Sequence, residues 1–265
     1  MTYIDICIHP VFTPKEADLF NVSFNSLEVF STRIISEFEQ HHIHHSMVCL
    51  FDSNPLNDFN NIQKFIELKQ SRKLSFSCLI DFRDPSCQDV LVNAAKSGFS
   101  SITFHPYLQE IESTHFAQIA DICQQAEKLG LFVCVCSAYG SKKIFKYYSL
   151  PLVVHLAERI QCPIVMIHGG GAKVLEAFLI AEMYPQIYFE TSFSLPYWIG
   201  STVETDFAFV MKSLGAHRCM FGSDAPFIPL DQAISSHFDF FKRHHFTDND
   251  IDQIMGRTAA KLLGL

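Results

Sequence analysis

The chain has 265 residues, of which 48% are hydrophobic and only 18% are charged. This length is enough for one large domain with a well-buried core. The net charge of -8 and the lack of a basic patch argue against a nucleic-acid partner.

The start of the chain lacks the pattern of a signal peptide. No apolar run reaches the roughly 18 residues that a membrane-spanning helix needs, so no membrane partner is expected. Nine cysteines without close regular spacing indicate reduced thiols and a cytoplasmic protein. The low charge content also allows an apolar surface for a homo-oligomer.

The first predicted strand runs from Ile4 to His9 and places Cys7 and His9 at alternate positions. Side chains two apart on a strand share one face. A thiol and an imidazole therefore project together, and both are possible metal ligands.

Seven further apolar runs follow, and segments with helical periodicity separate them. Helices are predicted between His115 and Leu129, after Ser201, where Glu204 completes a capping-box pattern, and after Thr247. The histidine-rich run from His41 to His45 is predicted to be a solvated connector before the second strand. The other predicted strands are Met47 to Phe51, Ser75 to Ile80, Ser101 to His105, Leu131 to Cys136, Ile164 to His168, Ile187 to Thr191 and Cys219 to Gly222.

Alternation of strands and helices implies parallel strands joined by crossover helices. Eight strands in this length predict a (β/α)8 TIM barrel that spans residues 1–265 as a single domain. A doubly wound open sheet is the alternative.

Polar side chains stand at the ends of the predicted strands. In a parallel barrel these carboxyl ends lie on one face, which is where active sites are built. Asp52 and Asp81 are interpreted as turn caps. The strand-end residues are His9, Asp52, Asp81, His105, Cys136, His168, Glu190 and Asp224.

Three of these strand ends carry the strongest signals, and one of them is His9, which Pro10 follows. His168 is followed by three glycines, which leave room around the imidazole. Asp224 follows Gly222 and Ser223 and precedes Pro226, which stiffens the exit from the strand.

These motifs together resemble the amidohydrolase-related family of metal-dependent TIM-barrel hydrolases, which also contains decarboxylases. The similarity extends over nearly the whole chain in the family's order. The matching segments are Ile4 to His9, Ile80 to Pro85, Gly98 to Pro106, Ile167 to Gly170, Phe221 to Pro226 and Ile254 to Leu265.

The resemblance implies a metal centre. Family members take ligands from a His-x-His on strand 1, from strand 5, and from histidine and aspartate on strands 6 and 8. His9, His168 and Asp224 match, whereas Cys7 and Cys136 stand where histidines are expected. Because thiolates bind zinc well, one divalent metal, zinc in the first place, is predicted to be held by Cys7, His9, Cys136 and Asp224.

The resemblance also implies a reaction. A metal-activated water would add to a carbonyl-type carbon of a small molecule, in an amide, lactone or other ester, with Asp224 as general base. His168 would polarise the substrate or orient the water. His105, Glu190 and Trp198 are the candidate substrate contacts.

Three alternatives stay open at this point. The first is a non-oxidative decarboxylase of a small unsaturated acid at the same site. The second is a metal-free enzyme in which Cys7 and Cys136 form a redox pair, or in which one of them is a nucleophile with His168 as base. The third is a catalytically silent binding barrel.

Overall fold

Eight parallel strands pair in chain order and form the wall of a barrel. The computed structural model describes residues 3–9, 18, 27–53, 56, 59–70, 73–137 and 142–265. The strands are β1 (Tyr3–Ile8), β2 (Ile43–Leu50), β3 (Leu74–Leu79), β4 (Ser101–Phe104), β5 (Phe132–Cys136), β6 (Ile164–Ile167), β7 (Ile187–Glu190) and β8 (Cys219–Met220).

The barrel closes between its first strand and the residues that follow its last. The His9 N–H donates to the Ala225 carbonyl at 2.7 Å, and the Asp224 N–H donates to the Cys7 carbonyl at 2.8 Å. A parallel bridge joins Ile8 to Ala225. This closure confirms the predicted TIM barrel and excludes the doubly wound open sheet.

Helices surround the barrel in the order expected for crossover connections. The described helices are α1 (Leu27–His41), α2 (Phe59–Gln70), α3 (Cys87–Lys96), α4 (Phe116–Lys128), α5 (Leu150–Ala157), α6 (Val174–Met183), α7 (Ser194–Trp198), α8 (Thr202–Leu214), α9 (Leu230–Arg243), α10 (Asp248–Asp252) and α11 (Thr258–Leu263).

The apolar core has two layers because both faces of each strand are covered. Inside the barrel, Ile4, Met47 and Val165 pack together. Between strands and helices, the rings of Phe65 and Phe76 have centroids 5.0 Å apart in an edge-on contact. Burial on both faces explains the continuous apolar runs in the sequence.

The second strand begins earlier than predicted. Tyr3 pairs with Ile43, so β2 includes Ile43 and the two histidines that follow it. His45 is buried, and its Nε2 lies 2.8 Å from the Ser75 hydroxyl. The prediction of a solvated connector was therefore wrong for these residues, because pairing with β1 extends the strand toward the amino-terminal end of the barrel.

All nine cysteines are free thiols, as predicted. Within the described part of the chain, none of the helices combines the length and the apolar character needed to cross a membrane.

Candidate active-site pocket and metal centre

Three side chains from the two ends of the chain converge at the carboxyl-terminal mouth of the barrel. The His9 Nε2 lies 3.0 Å from the Asp224 Oδ1. The Cys7 Sγ lies 3.6 Å from the His9 Nε2 and 3.8 Å from the Asp224 Oδ1. All three residues are buried, and they form the one group of potential ligands found among the described residues.

These distances fit a zinc ion. With bonds of about 2.0–2.1 Å to nitrogen and oxygen and about 2.3 Å to sulfur, tetrahedral ligands stand about 3.3 Å (N to O) and 3.6 Å (to S) apart. The observed separations of 3.0, 3.6 and 3.8 Å are close to these edges. A nitrogen, an oxygen and a sulfur donor therefore stand where a tetrahedral ion would need them.

The hydrogen bond at the far side of His9 also favours a metal ligand. The His9 Nδ1 lies 3.1 Å from the Cys49 carbonyl oxygen. Because a carbonyl only accepts, Nδ1 carries a proton. Nε2 is therefore the nitrogen that faces the Asp224 carboxylate, and it carries a second proton in the protonated ring or can bind a metal ion in the neutral one. A fixed Nδ1 proton of this kind is typical of metal-bound histidines.

Mutual interactions set the protonation of this group. Burial lowers the pKa of His9, but the Cys7 sulfur and the hydrogen bond with Asp224 raise it more, so the pKa lies well above its ordinary value. The hydrogen bond with Cys49 and burial raise the pKa of the Cys7 thiol well above 9.0. A bound dication would reverse this, since coordination deprotonates a thiol.

Asp5 ties the two ends of the chain together beneath the cluster. Its Oδ1 accepts the N–H of Cys7 at 3.1 Å and the N–H of Ser223 at 2.9 Å. Burial raises the pKa of Asp5 to about 6. The carboxyl group thus fixes the backbone on both sides of the candidate metal site.

A small pocket of about 20 Å³ lies beside the cluster, with room for about one water molecule. Cys136 lines this pocket together with Cys7 and His9. Its side chain therefore lies on the inner face of β5, as a metal ligand from this strand requires. Its sulfur is not among the donor atoms that lie within 4.8 Å of one another. The structure thus brings together three of the four predicted metal ligands and places the fourth across the pocket.

His168 lines the same pocket and has a fixed tautomer. Its Nδ1 lies 3.0 Å from the Ser192 carbonyl and 2.9 Å from the Ser192 hydroxyl. Because the carbonyl must accept, the neutral ring carries its proton on Nδ1 and has an acceptor at Nε2. Burial lowers the pKa of His168, which favours this neutral form.

The glycines after His168 serve packing more than ligand contact. A Cβ on Gly170 would lie 2.6 Å from the Ala177 Cβ on α6. The Gly170 N–H donates to the Ser137 hydroxyl at 2.8 Å. These contacts let the loop lie flat against the helix and hold His168 at a φ of 67°.

Glu190 lies behind His168 rather than in the pocket. It is fully buried, and its carboxylate accepts the N–H of His168 at 3.1 Å and the hydroxyl of Ser192 at 2.7 Å. Burial raises its pKa to about 8. This arrangement supports a role in positioning His168, and the predicted substrate contact stays an untested prediction.

The other two candidate substrate contacts occupy different cavities. His105 is buried and lines the inner pocket. Trp198 instead lines an outer cavity of about 450 Å³ together with Tyr148 and Lys173. A second outer cavity, of about 510 Å³, contains Arg83 and shares Phe51 with the inner pocket.

Sequence reasoning missed two residues that build this site. Cys49 is not among the predicted site residues, but it lines the pocket and its carbonyl orients His9. Ser192 fixes the His168 ring. Alternation along β2, with Met47, Cys49 and Phe51 on one face, was a signal for Cys49.

Comparisons with known proteins agree with this fold. A family model described as amidohydrolase matches residues 81–265. No curated protein matches the chain.

Solved structures with the same fold are distant in sequence. A probable 2-pyrone-4,6-dicarboxylic acid hydrolase from Acinetobacter baumannii, with citric acid bound, is 18% identical, covers 100% of both chains and has a TM-score of 0.72. A TIM-barrel protein from Bordetella bronchiseptica is 14% identical over 100% of this chain and 99% of its own, with a TM-score of 0.76. A dihydroxybenzoic acid decarboxylase from Polaromonas sp. JS666, with bound manganese and 2-nitroresorcinol, is 14% identical over 100% and 97% of the two chains, with a TM-score of 0.69.

Proposed function

This chain belongs to the amidohydrolase family, and we propose that it is a metal-dependent hydrolase that adds water to the carbonyl-type carbon of an ester, lactone or amide. The observation that carries the proposal is the convergence of Cys7, His9 and Asp224 at the carboxyl-terminal mouth of the barrel. Barrel enzymes build their active sites on this face.

Zinc is the metal that the donor set favours. Sulfur, nitrogen and oxygen donors from Cys7, His9 and Asp224 suit zinc, while a thiolate is a poor ligand for harder ions such as manganese. Cys136 lines the same pocket but lies outside this group of donor atoms, so the fourth position would be open to water. When bound, the metal supplies positive charge that makes water more acidic and stabilises negative charge on the substrate.

Asp224 is the proposed general base. Its carboxylate takes a proton from water while the water oxygen bonds to the carbonyl carbon, and the C=O π electrons move to the oxygen. The electron pair then returns, the bond to the leaving oxygen or nitrogen breaks, and the proton held by Asp224 passes to the leaving atom. The products are a carboxylic acid and an alcohol or amine.

His168 is proposed to orient the water. Its Nδ1 proton is held by Ser192, so its Nε2 is an acceptor. An acceptor can receive a hydrogen bond from water but cannot donate one to a carbonyl oxygen. The geometry therefore favours water orientation over substrate polarisation for this residue.

Substrate is proposed to enter through the outer cavity that shares Phe51 with the inner pocket. Arg83 and Asp81 make this cavity polar. Since the Acinetobacter relative is described as a probable 2-pyrone-4,6-dicarboxylic acid hydrolase, this lactone belongs in the first substrate panel, with p-nitrophenyl acetate and simple amides.

The decisive variant is Asp224→Asn, assayed on this panel with the zinc-loaded protein. Loss of the base should lower kcat by about 10²- to 10⁴-fold. Asp89→Asn, on the exposed side of α3, is the matched control and should keep full activity. Hydrolysis that survives in Asp224→Asn would overturn the mechanism.

The same panel separates the alternatives. Release of carbon dioxide from an aromatic or unsaturated acid, without hydrolysis of any ester, lactone or amide, would favour a decarboxylase. Binding of panel compounds without turnover of any of them would favour a silent barrel.

A further inference from the structure

The third histidine of the inner pocket differs from the other two. The Nδ1 atoms of His9 and His168 are each held by a backbone carbonyl. The Nδ1 of His105 is buried and has no hydrogen-bond partner among the described residues. Of the five buried side-chain atoms without a partner there, it alone belongs to a residue that lines the pocket.

The rest of His105 is held firmly. Its N–H donates to the Gln109 side-chain oxygen at 2.8 Å, and its carbonyl accepts the Gln109 N–H at 2.9 Å. The ring packs edge-on against Tyr107, with centroids 4.3 Å apart, and contacts Phe51 at 5.7 Å. A buried nitrogen without a hydrogen bond lowers the stability of the folded protein. A ligand that forms a hydrogen bond with this nitrogen removes that loss, and the fixed ring is already in place to bind it.

The position of His105 suggests what that ligand atom is. It follows β4, whereas Asp224 follows β8, so four strands separate them in a barrel of eight. They therefore stand on opposite sides of the mouth. If water attacks the substrate from the side of Asp224, the opposite side of the substrate lies next to His105.

We propose that His105 donates a hydrogen bond to the carbonyl-type oxygen of the substrate as that oxygen becomes negatively charged. This rests on the proposed hydrolase function. Because no carbonyl or carboxylate of the described residues fixes its tautomer, the ring can carry its proton on Nδ1, the nitrogen without a partner.

The protonation of His105 agrees with a donor that stays neutral. Burial lowers its pKa well below the ordinary value, and the nearby His168 and His9 lower it further. A neutral imidazole N–H is a known way to stabilise a developing oxyanion without a change of charge.

The test compares three variants on p-nitrophenyl acetate, with folding checked by circular dichroism. His105→Ala should lower kcat by about 10²-fold with little change in KM, because the contact strengthens only when charge develops. His105→Asn, which keeps an N–H donor, should retain part of the wild-type activity, and added imidazole should restore part of the activity of His105→Ala. His45→Ala removes a buried histidine outside the pocket and should show no response to imidazole.

Each outcome decides the inference. Full kcat in His105→Ala, while Asp224→Asn is inactive, would overturn the role of His105 and leave the proposed function standing. Lost activity that neither asparagine nor imidazole restores would also overturn it, since a merely structural ring behaves that way. Absence of hydrolysis by the wild-type protein across the whole panel would overturn the proposed function, and the inference with it.

Discussion

Cys7 is the residue that distinguishes this site from a histidine-based one. Its sulfur lies 3.6 Å from the His9 Nε2 and 3.8 Å from the Asp224 Oδ1, so it is predicted to bind the metal directly. Cys136 lines the pocket but lies outside this group. The two cysteines should therefore respond differently to substitution.

We expect Cys7→Ser to lose most of its zinc and Cys136→Ser to keep about one equivalent. Elemental analysis of untagged protein after dialysis measures both. His41, His42 and His44 should be replaced in all samples, because this run can bind metal adventitiously. Equal zinc contents in the two variants would contradict a centre built on Cys7.

His237 gives a pH prediction that does not depend on the metal. Its Nδ1 lies 2.7 Å from the Ala233 carbonyl and its Nε2 lies 2.9 Å from the Thr191 hydroxyl, and burial lowers its pKa to about 4. Between pH 4 and the unfolded pKa of about 6.5, the unfolded chain binds more protons than the folded one. Stability therefore rises with pH across this window, by about 3 kcal/mol from this residue.

Urea unfolding at several pH values measures this effect. Because the raised pKa values of Asp5 and Glu190 act in the opposite direction over this range, the readout is the difference between two proteins. As the pH falls from about 6.5 toward about 4, the wild-type protein should lose up to about 3 kcal/mol of stability relative to His237→Gln. Parallel curves for the two proteins would show that His237 is not the titrating group.

At the level of single residues, alternation along strands predicted which side chains share a face. It placed Cys7 with His9 and turned Cys136 toward the pocket. It did not reveal the Asp5 bond that joins Cys7 to Ser223, because that contact links residues 218 positions apart. Nor did it show that Glu190 supports His168, since burial depth depends on the closed barrel.

Among the elements, the seam between β1 and the residues that follow β8 is tightly packed. A Cβ on Gly222 would meet the Glu190 carboxylate and would lie 3.0 Å from the Cys7 Cβ. Any side chain at position 222, two residues after β8, would therefore displace Cys7 or Glu190.

We expect Gly222→Ala to cost about 1–3 kcal/mol of stability, because the core is overpacked, and to lower zinc affinity. Thermal unfolding and zinc titration measure the two effects. Gly130→Ala is the control, since a Cβ at that surface turn meets nothing within 4 Å. It should lose stability through its φ of 77° but keep normal zinc affinity. Normal zinc affinity in Gly222→Ala would contradict the packing of this seam.

Element boundaries were predictable where propensity and burial agree. The helix over Phe116–Lys128 and the capping box at Thr247 match the sequence signals. The capping box predicted at Ser201 does not form. There the Glu204 carboxylate instead accepts the Gly200 N–H and pairs with Arg243, a tertiary contact that local sequence does not encode.

For the whole molecule, the candidate metal centre joins the first strand to the last. Cys7 and His9 come from β1 and its end, and Asp224 follows β8. A bound ion would clamp the closure of the barrel, so metal binding should be linked to global stability.

Zinc at 100 times its dissociation constant should stabilise the fold by about 2.7 kcal/mol, which raises Tm by about 5–10 °C in a chain of this size. Differential scanning calorimetry of zinc-loaded and chelator-treated protein measures the shift. Cys7→Ser should show little of it, and an equal shift in that variant would place the ion elsewhere.

The barrel itself was predictable because alternating strands and helices leave few parallel topologies. The closure of the barrel depends on pairing between residues far apart in the sequence. Local patterns do not predict such pairing, so this part of the prediction rested on the family resemblance. The self-association expected from composition stays a prediction, and light scattering of the purified protein checks it.

Cobalt substitution tests the central claim of a thiolate metal centre most directly. One cobalt ion per chain should produce an intense near-ultraviolet absorption band from sulfur-to-metal charge transfer, and Cys7→Ser should remove that band. Cobalt bound at one equivalent with no such band, or with the band unchanged in Cys7→Ser, would contradict the assignment of Cys7, His9 and Asp224 as the metal site.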